Sequence, residues 1–578
     1  MEDIKKLILL LPQKLKRKFI SLFFLMVFLA FLEIVSIGAV VPVVGILINP
    51  SYVSQNEILK NIFDYFQITD VQNYIYFALL VLLICYFLKS IFVLLLSYLK
   101  AKSAMDSKVD LSSDLLEFYI RQDYEEYTKE GSYVLINNIL KEIPNLIEGV
   151  VIPAFNILIE VITFLFILSF LLIYDPVVTS LIFLVILIYS TLYFLIFSNR
   201  TKAYGQIRQE NEEKSNSQIV EIINGMKEIK LWNKENYFLD KYKFNLRQVA
   251  RSQTIQGVYQ ELPRAFSEVI GITIICILSI LLIFQDKDLT NIMITLGFYS
   301  AAGFRLLPSS NRVMGAIHYI KFYYPTIKII SREFDKARNL ENSNKKTNNN
   351  KLNGEFNNIT FKDVSFNYQS NKNFIFENVN LKINKGDFVG ILGKSGSGKS
   401  TFIDLLTSLL EPTDGNIYID NENLKDIKNE WKSLIGYVTQ NVFISDTSLK
   451  KNIAFALKDS QINEIDLKNS IQQAQITEFL DKLPHGENSL VGEKGLKLSG
   501  GQIQRVAIAR CLYKNSKILI FDESTNALDL ETEDKILNTI QSLKGQKTIF
   551  MISHKINSLR YCNKILKIED NNILEQSN

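Results

Sequence analysis

Cysteine and histidine are scarce in this chain. Four cysteines, Cys85, Cys276, Cys511 and Cys562, are scattered over 578 residues. No spacing among them frames a disulfide scaffold or a structural metal site. Three histidines, His318, His485 and His554, argue against an imidazole-rich zinc centre. An excess of one charge is missing too: 64 basic against 60 acidic residues leave a formal charge of +4. The basic footprint of a nucleic-acid binder is therefore absent, and no nucleic-acid partner is expected. Hydrophobic residues make up 48% and charged residues 21%, for a mean hydropathy of +0.11. That average hides an asymmetry, because the first part of the chain is far more apolar than the last. The length exceeds what one core holds, so at least two units are expected.

Six apolar stretches near 19–48, 73–98, 150–174, 177–198, 264–285 and 289–318 are each about long enough to cross a bilayer as a helix. The sixth is the least apolar. Ahead of them, residues 4–18 are basic and amphipathic and suit a helix lying on the membrane surface. The apolar run that follows outlasts a signal-peptide core and lacks a small-residue cleavage site, so it reads as uncleaved. Asp175-Pro176 and Gln285 to Leu289 mark tight turns between spans. The polar segments 99–149 and 199–263 have helical periodicity and are rich in Lys and Arg, which places them in the cytoplasm. An even number of crossings returns the chain to the same side. On the outer side, Ile58, Leu59, Ile62, Phe63 and Phe66 recur at helical spacing. They predict an amphipathic outer helix near 57–66, which either packs on the span ends or touches lipid. The membrane part is expected to end at 335. An Asn/Lys/Ser-rich stretch from 336 to 354 reads as a flexible linker. Strands and helices then alternate over 355–578, as in a parallel α/β domain.

Within that last part, Gly393-Lys394-Ser395-Gly396-Ser397-Gly398-Lys399-Ser400-Thr401 fits G-x-x-x-x-G-K-[ST]. It follows the apolar run Phe388 to Leu392 and precedes Phe402 to Leu406, the strand–loop–helix setting of a phosphate-binding loop. The glycines let backbone N–H groups curl around phosphate oxygens at a helix N-terminus. Lys399 would reach the β- and γ-phosphates of ATP, and Ser400 would place its hydroxyl on Mg²⁺. A second apolar strand, Ile518 to Phe521, ends in Asp522-Glu523. Asp522 is placed to hold Mg²⁺, and Glu523 to polarise an attacking water.

Further motifs carry a resemblance. Leu498-Ser499-Gly500-Gly501-Gln502 resembles the signature sequence of ATP-binding cassette (ABC) ATPases. Tyr368 resembles the aromatic that stacks on adenine, and Gln440 the loop glutamine that also serves Mg²⁺ and links the site to the membrane part. Asn526-Ala527-Leu528-Asp529 resembles the D-loop, and His554 the switch histidine on the γ-phosphate. Two positions depart from the usual pattern: Asn526 where Ser is usual, and Ile503 where a basic residue is common. Neither removes a catalytic group. The resemblance implies a multi-domain chain of the type I ABC exporter (type IV) fold: an all-α polytopic membrane domain of six transmembrane helices, then an α/β P-loop NTPase domain. It implies ATP and Mg²⁺ as cofactors, and catalytic roles for Lys399, Gln440, Glu523 and His554. ATP would be held by Tyr368, residues 393–401, Ser499, Gly500, Gly501, Gln502 and Asp529. Because the signature faces the partner's phosphate loop in that family, a homodimer with two composite sites is implied. The implied location is the cytoplasmic (inner) membrane, with the nucleotide domain in the cytoplasm.

The cargo is less determined. Charges inside a membrane are costly and mark pathways, and Lys89, Arg264, Arg305 and Arg312 are the candidates. Arg305 and Arg312 share a helix face, with Pro308 between them as a kink. They either face a cavity that takes an anionic headgroup, or pair with Glu33, Glu160 or Glu268, or snorkel to an interface. Phe304 to Arg312 together with the outer helix is similar to bacterial flippases of lipid-linked oligosaccharides for protein N-glycosylation. The resemblance implies membrane lipid and such a glycolipid as partners. Export of drugs, lipids or peptides is the alternative, and a nucleotide-gated channel stands further off because Glu523 is intact. Residues around 118–127 and 222–234 are expected to relay nucleotide-driven movement to the spans.

Overall fold

The structure, a computed structural model, describes residues 13–48, 53, 56–68, 70–129, 131–284, 289–344, 355–368, 373–492, 495–553 and 559–577. It divides into two compact units, Met1–Gln122 with Tyr127–Asn342 and Asp123–Glu126 with Ser343–Asn578.

The described residues of the first unit are helical. Its first helix, α1 (Gln13–Gly38), is followed at once by α2 (Val40–Ile48). The break has a local cause, because Pro42 lacks an N–H and its ring would clash with the carbonyl of Gly38 four residues back. Residues 1–12 of the expected surface helix lie outside the described residues. From Gln13 the chain already belongs to α1, so the second part of that stretch is the start of the first long helix. Nothing between Pro12 and Gly38 interrupts it.

Helix α3 (Glu57–Tyr65) is the expected outer helix. Phe63, 3% exposed, packs with ring centroids 4.5 Å from Tyr74 and 5.7 Å from Phe77. Ile62 and Phe66 stay exposed. One face is therefore packed, the other is exposed at Ile62, and Phe66 also keeps its ring 4.9 Å from Phe77.

Four long helices follow: α4 (Val71–Arg121), α5 (Ile152–Tyr174), α6 (Pro176–Asn224) and α7 (Glu235–Phe284). At 1.5 Å per residue, the 49 residues of α6 span about 73 Å, more than twice a hydrocarbon core. The polar segments are thus largely continuations of the spans. Asp175 caps α6, its carboxylate accepting from the N–H groups of Val177 and Val178 at 3.2 Å, with Pro176 opening the helix.

Among the described residues, five stretches are long and apolar enough to cross a membrane: Arg17–Leu47, Gln72–Arg121, Ser132–Ile173, Pro176–Asn224 and Glu235–Ile283. The sixth expected span is present as α8 (Leu289–Phe322), which runs on through Pro308. It is less apolar because much of it packs against protein, although Met293 and Phe304 are exposed. It packs on α5, α6 and α7, and Ser309 and His318 on it are fully buried. Helix α9 (Tyr324–Asn344) continues through residues 336–344, the first part of the expected linker. Lys336, Ala337, Arg338, Leu340 and Glu341 are good helix formers and carry the helix past 335. Residues 345–354 lie outside the described residues, as do 285–288 of the turn before α8.

The second unit holds two sheets. Strands β1 (Asn358–Phe366), β2 (Phe376–Asn384), β4 (Asp414–Ile419) and β5 (Glu422–Asn423) form an antiparallel sheet in the order β2-β1-β4-β5. The other sheet has the order β10-β9-β3-β8-β7-β6, from β3 (Phe388–Gly393), β6 (Ile435–Val438), β7 (Ile518–Asp522), β8 (Thr548–Ile552), β9 (Lys564–Glu569) and β10 (Asn572–Ser577). All neighbours in it are parallel except β9 and β10. Every residue of β7 and β8 is buried, the mark of a parallel sheet covered on both faces. Trp431, with no exposed surface, anchors one side by donating its indole N–H to the Leu406 carbonyl at 2.7 Å.

A close approach fixes α6 against the end of α8. A Cβ on Gly205 would lie 2.1 Å from the Phe322 carbonyl oxygen, so only glycine fits without a backbone shift. Gly205→Ala should destabilise the membrane unit by roughly 1–3 kcal/mol, as overpacking does. A thermal-unfolding midpoint several degrees below that of the parent protein is the expected reading.

Candidate functional site

The apolar strand β3 delivers the chain to the loop 394–398, and helix α10 (Lys399–Leu406) starts at its end. Gly398 caps the helix at φ 104°, and Gly396 has φ 80°. Both conformations are open to glycine and strained for other residues. Gly393 is needed for space, since a Cβ there would sit 2.5 Å from the Ser397 Oγ. That Oγ is buried and has no hydrogen-bond partner among the described residues. The Lys399 ammonium folds over the loop, donating to the carbonyls of Gly393 at 2.9 Å and Lys394 at 3.0 Å. The loop thus presents a cation, a helix N-terminus and unpaired polar groups together, which is what a polyphosphate requires. The Tyr368 hydroxyl is 3.3 Å from the Thr401 Oγ1, and its ring lies edge-on to Phe366.

Strand β7 ends at the same sheet edge. Asp522 accepts a hydrogen bond from the Tyr437 hydroxyl at 3.1 Å. Burial pushes its carboxyl above the usual range; the Tyr437 bond works against that shift, and Glu523 adds to it. Asp404, one turn into α10, is pushed up to about 6, by burial first and by the charge of Asp522 second. Glu523 sits just past the strand at φ 48°, a left-handed conformation that turns its side chain out of the sheet. Its carboxylate accepts from the Gln440 Nε2 and from the Asn526 Nδ2, each at 3.1 Å. Gln440 and Glu523 are therefore brought together, as the motifs required.

Ser499 caps helix α11 (Gly500–Tyr513). Its Oγ accepts from the Gln502 N–H at 3.3 Å, while its own N–H donates to the Gln502 Oε1 at 2.9 Å, a reciprocal capping box. Ser499 and Gly500 are exposed, so this helix start is open to a ligand. Gly501 is tight, since a Cβ would meet the Ala527 carbonyl oxygen at 2.9 Å. The Ala527 N–H in turn donates to the Gln504 Oε1 at 3.1 Å. The signature and the segment Asn526–Asp529 are thus one packed piece. Asp529 caps helix α12 (Leu530–Ser542), accepting from the Thr532 N–H at 3.0 Å. His554, with Glu493 and Lys494, lies outside the described residues.

The first unit holds the intramembrane charges. Lys89 pairs with Glu33 at 2.9 Å. Arg305 lies 2.9 Å from Glu33 and 3.6 Å from Glu160. Arg312 pairs with Glu160 at 2.5 Å, and Ser309 donates to the same carboxylate. The pairing alternative is therefore realised for Lys89, Arg305 and Arg312. All three also line a cavity of about 400 Å³. Arg264 stands elsewhere, with Glu268 and Arg312, on a second cavity of about 820 Å³.

Residues 376–526 match the family described as ABC transporter, and residues 23–296 match the ABC transporter transmembrane region. Together the two matches take in more than half of the chain.

The chain belongs to the ABC transporters.

Its fold is similar to that of a bacterial Atm1-family ABC exporter solved with ATP bound: TM-score 0.76, covering 97% of this chain and 95% of that one, at 19% identity. The chain is 38% identical over 221 residues to an ATP-dependent lipid A-core flippase of Wigglesworthia glossinidia brevipalpis. It is 36% identical over 218 residues to a putative multidrug export ATP-binding/permease protein, YgaD, of Bacillus subtilis. It is 39% identical over 221 residues to the alpha-hemolysin translocation ATP-binding protein HlyB of Escherichia coli O157:H7. Each match takes in 38% of this chain and 38%, 37% and 31% of those relatives, respectively, well under half of their length.

Several residues of this ABC transporter site escaped motif reading. Asn526, the departure from the usual Ser, holds the Glu523 carboxylate. Ile503, the other departure, fills the space beside Gly495, whose Cβ would lie 3.1 Å from it, so an apolar side chain fits there. Tyr437 and Asp404 belong to no motif, and their role depends on contacts distant in sequence. The residues present fit Mg²⁺. Ser400, Gln440 and Asp522 offer hard oxygen donors, and the crowded pair Asp404 and Asp522 favours a cation nearby.

The Asp404 shift has a measurable sign. An acid whose folded pKa is raised gives stability that is complete below its unfolded value near 3.8 and lost as pH rises through about 6. Asp404→Asn removes that loss. After discounting for partial exposure, the variant should gain about 1 kcal/mol over the parent above pH 6 in the absence of Mg²⁺. The difference should shrink toward pH 4. Thermal shift of the nucleotide-domain transition in EDTA, followed across pH, is the check.

Proposed function

We propose that this ABC transporter is an ATP-driven exporter or flippase that moves an amphipathic, anionic lipid, most specifically a lipid-linked oligosaccharide, across the cytoplasmic membrane. The observation that carries the cargo reading is a pair of membrane cavities that share Arg312: Lys89, Lys100, Arg305 and Arg312 line the smaller, and the larger is amphipathic. Arg264, Ser267, Glu268, Asn311 and Arg312 line one part of it, while Leu171, Ile182, Ile274, Leu278, Leu296 and Leu306 line the rest. Gly271 against Leu307 and the 2.8 Å bond from Asn311 to Ser267 put the polar groups of α7 and α8 at one level. The larger cavity gathers its charged groups at one end and is mainly apolar along its body, where Tyr299 and Ser300 are the polar lining residues, as a lipid with a charged head requires. The exposed face of α3 supports the same reading by offering a surface to a lipid tail. The name of one relative, a lipid A-core flippase, fits a lipid cargo; the multidrug relative keeps the drug-export alternative open.

In the energy step, Lys399 and the loop N–H groups hold the phosphates of ATP. Glu523, oriented by Gln440 and Asn526, positions water in line with the γ-phosphate and takes its proton. Ser400, Gln440 and Asp522 would hold Mg²⁺, which would draw charge from the phosphate oxygens. Ser499 and the Gly501 N–H add anion-binding groups from a second identical chain, so a homodimer completes two sites. His554 adds a donor to the γ-phosphate. ATP binds the closed state more tightly, and that difference shifts the population between access states. Residues 118–127 and 222–234 pass the movement to the spans.

Glu523→Gln should bind ATP with near-parental affinity yet lose turnover by a factor of 10² or more; ATPase at the parental rate in that variant would remove the base assignment. Replacing both Arg305 and Arg312 with Ala should abolish most glycolipid flipping in proteoliposomes while basal ATPase survives. Undiminished flipping would refute the cavity reading.

A further inference from the structure

We propose that Glu160 is a resident counter-ion that sets the charge threshold for the cargo headgroup, so that a phosphate headgroup with two negative charges displaces it from Arg312 and one with a single charge, or a zwitterion, does not. The inference rests on the cavity reading above.

Six charged side chains line the smaller membrane cavity of about 400 Å³: Glu33, Lys89, Lys100, Glu160, Arg305 and Arg312. Four cations against two carboxylates leave a formal surplus of two positive charges. Such a surplus in a membrane unit is unfavourable until an anion enters. Both carboxylates are buried, at 2% and 7% exposure, and each bridges helices. Glu33 of α1 joins Lys89 of α4 to Arg305 of α8. Glu160 of α5 joins two guanidiniums and a hydroxyl of α8.

The knot is unevenly held. Arg305 Nε lies 2.9 Å from Glu33, yet that N–H is buried without a hydrogen-bond partner. The contact is ionic and leaves a donor unused. Lys100 donates to a neutral acceptor, Asn156 Oδ1, at 2.6 Å. Arg312 is 47% exposed in its side chain and lines both cavities. It can turn from one to the other without uncovering Glu160, which keeps Arg305 and Ser309.

A guanidinium grips phosphate with the same fork it offers a carboxylate. An incoming headgroup therefore competes with Glu160 for Arg312 and pairs with Lys100 and the cavity-facing part of the Arg305 guanidinium. Two negative charges match the surplus, whereas one does not offset the loss of the Glu160–Arg312 pair. This is selection by a competing charge rather than by added attraction.

The test uses full-length protein in detergent at about pH 5, where the terminal phosphate keeps one proton, so that farnesyl diphosphate carries about two negative charges and farnesyl monophosphate about one; binding of each is read by equilibrium dialysis. The parent should prefer the diphosphate by about ten-fold or more. Glu160→Gln should bind the monophosphate about ten-fold more tightly and narrow the preference to within about three-fold. Glu33→Gln, which removes a counter-charge from the same cavity, should tighten both ligands several-fold and serves where Glu160→Gln does not fold. Unchanged or weaker monophosphate binding in a folded glutamine variant overturns the proposal; if Arg312→Ala still loses diphosphate binding, the cavity reading stands without it. Diphosphate binding that survives Arg305→Ala with Arg312→Ala overturns both.

Discussion

The nucleotide site depends on one constraint, the register of three buried parallel strands. Ile391 of β3 pairs with Ile552 of β8, and Ile552 pairs with Asp522 of β7. Gly393, Asp522, Glu523 and Ser553 therefore emerge at one sheet edge, where α10 also begins. Strands covered on both faces need apolar residues without alternation, and Ile518 to Phe521 and Ile549 to Ile552 supply them. Ligands of open α/β sheets gather at this carboxyl edge because loops there carry polar groups that the buried strands cannot. A slip of one residue would exchange the two faces of a strand and part Asp522 from Tyr437.

The membrane unit answers the same problem with charge. Its buried carboxylates are not isolated, since Glu33 and Glu160 each meet two cations. Removing one member of such a knot leaves an uncompensated charge, typically worth roughly 3–5 kcal/mol. The knot also explains why α8 is less apolar than the other spans. A helix packed largely against protein can carry Arg305, Ser309 and Arg312 where a lipid-facing helix could not.

Much of this was legible in the sequence, for physical reasons. A phosphate loop needs glycine where φ is positive, and Gly396 and Gly398 stand there. Long polar stretches with helical period became the extensions of α4, α6 and α7. The outer helix followed from five apolar residues at helical spacing, of which Phe63 is buried, Leu59 packs beside it and Phe66 touches Phe77. What escaped reading was set by tertiary contacts or by local competition. The break after Gly38 comes from Pro42 inside a run whose hydropathy reads as continuous. The stretch after 335 has linker composition, yet strong helix formers carry α9 to Asn344. Asn526 looked like a neutral departure because its bond to Glu523 forms across a turn of unusual backbone. Which carboxylate meets which arginine depends on helix packing that periodicity does not encode.

The account joins an ATP-powered edge in one unit to a cation-lined cavity in the other. It is tested most directly in proteoliposomes of defined composition that hold a polyprenyl-diphosphate oligosaccharide in the leaflet on the side of the nucleotide domains. The quantity measured is glycan accessibility at the opposite leaflet over time, with ATP and Mg²⁺ or with ATP in EDTA. The account predicts accessibility that rises only with ATP and Mg²⁺ and tracks phosphate release. Equal accessibility in both conditions, or phosphate release with no glycan crossing, would contradict it.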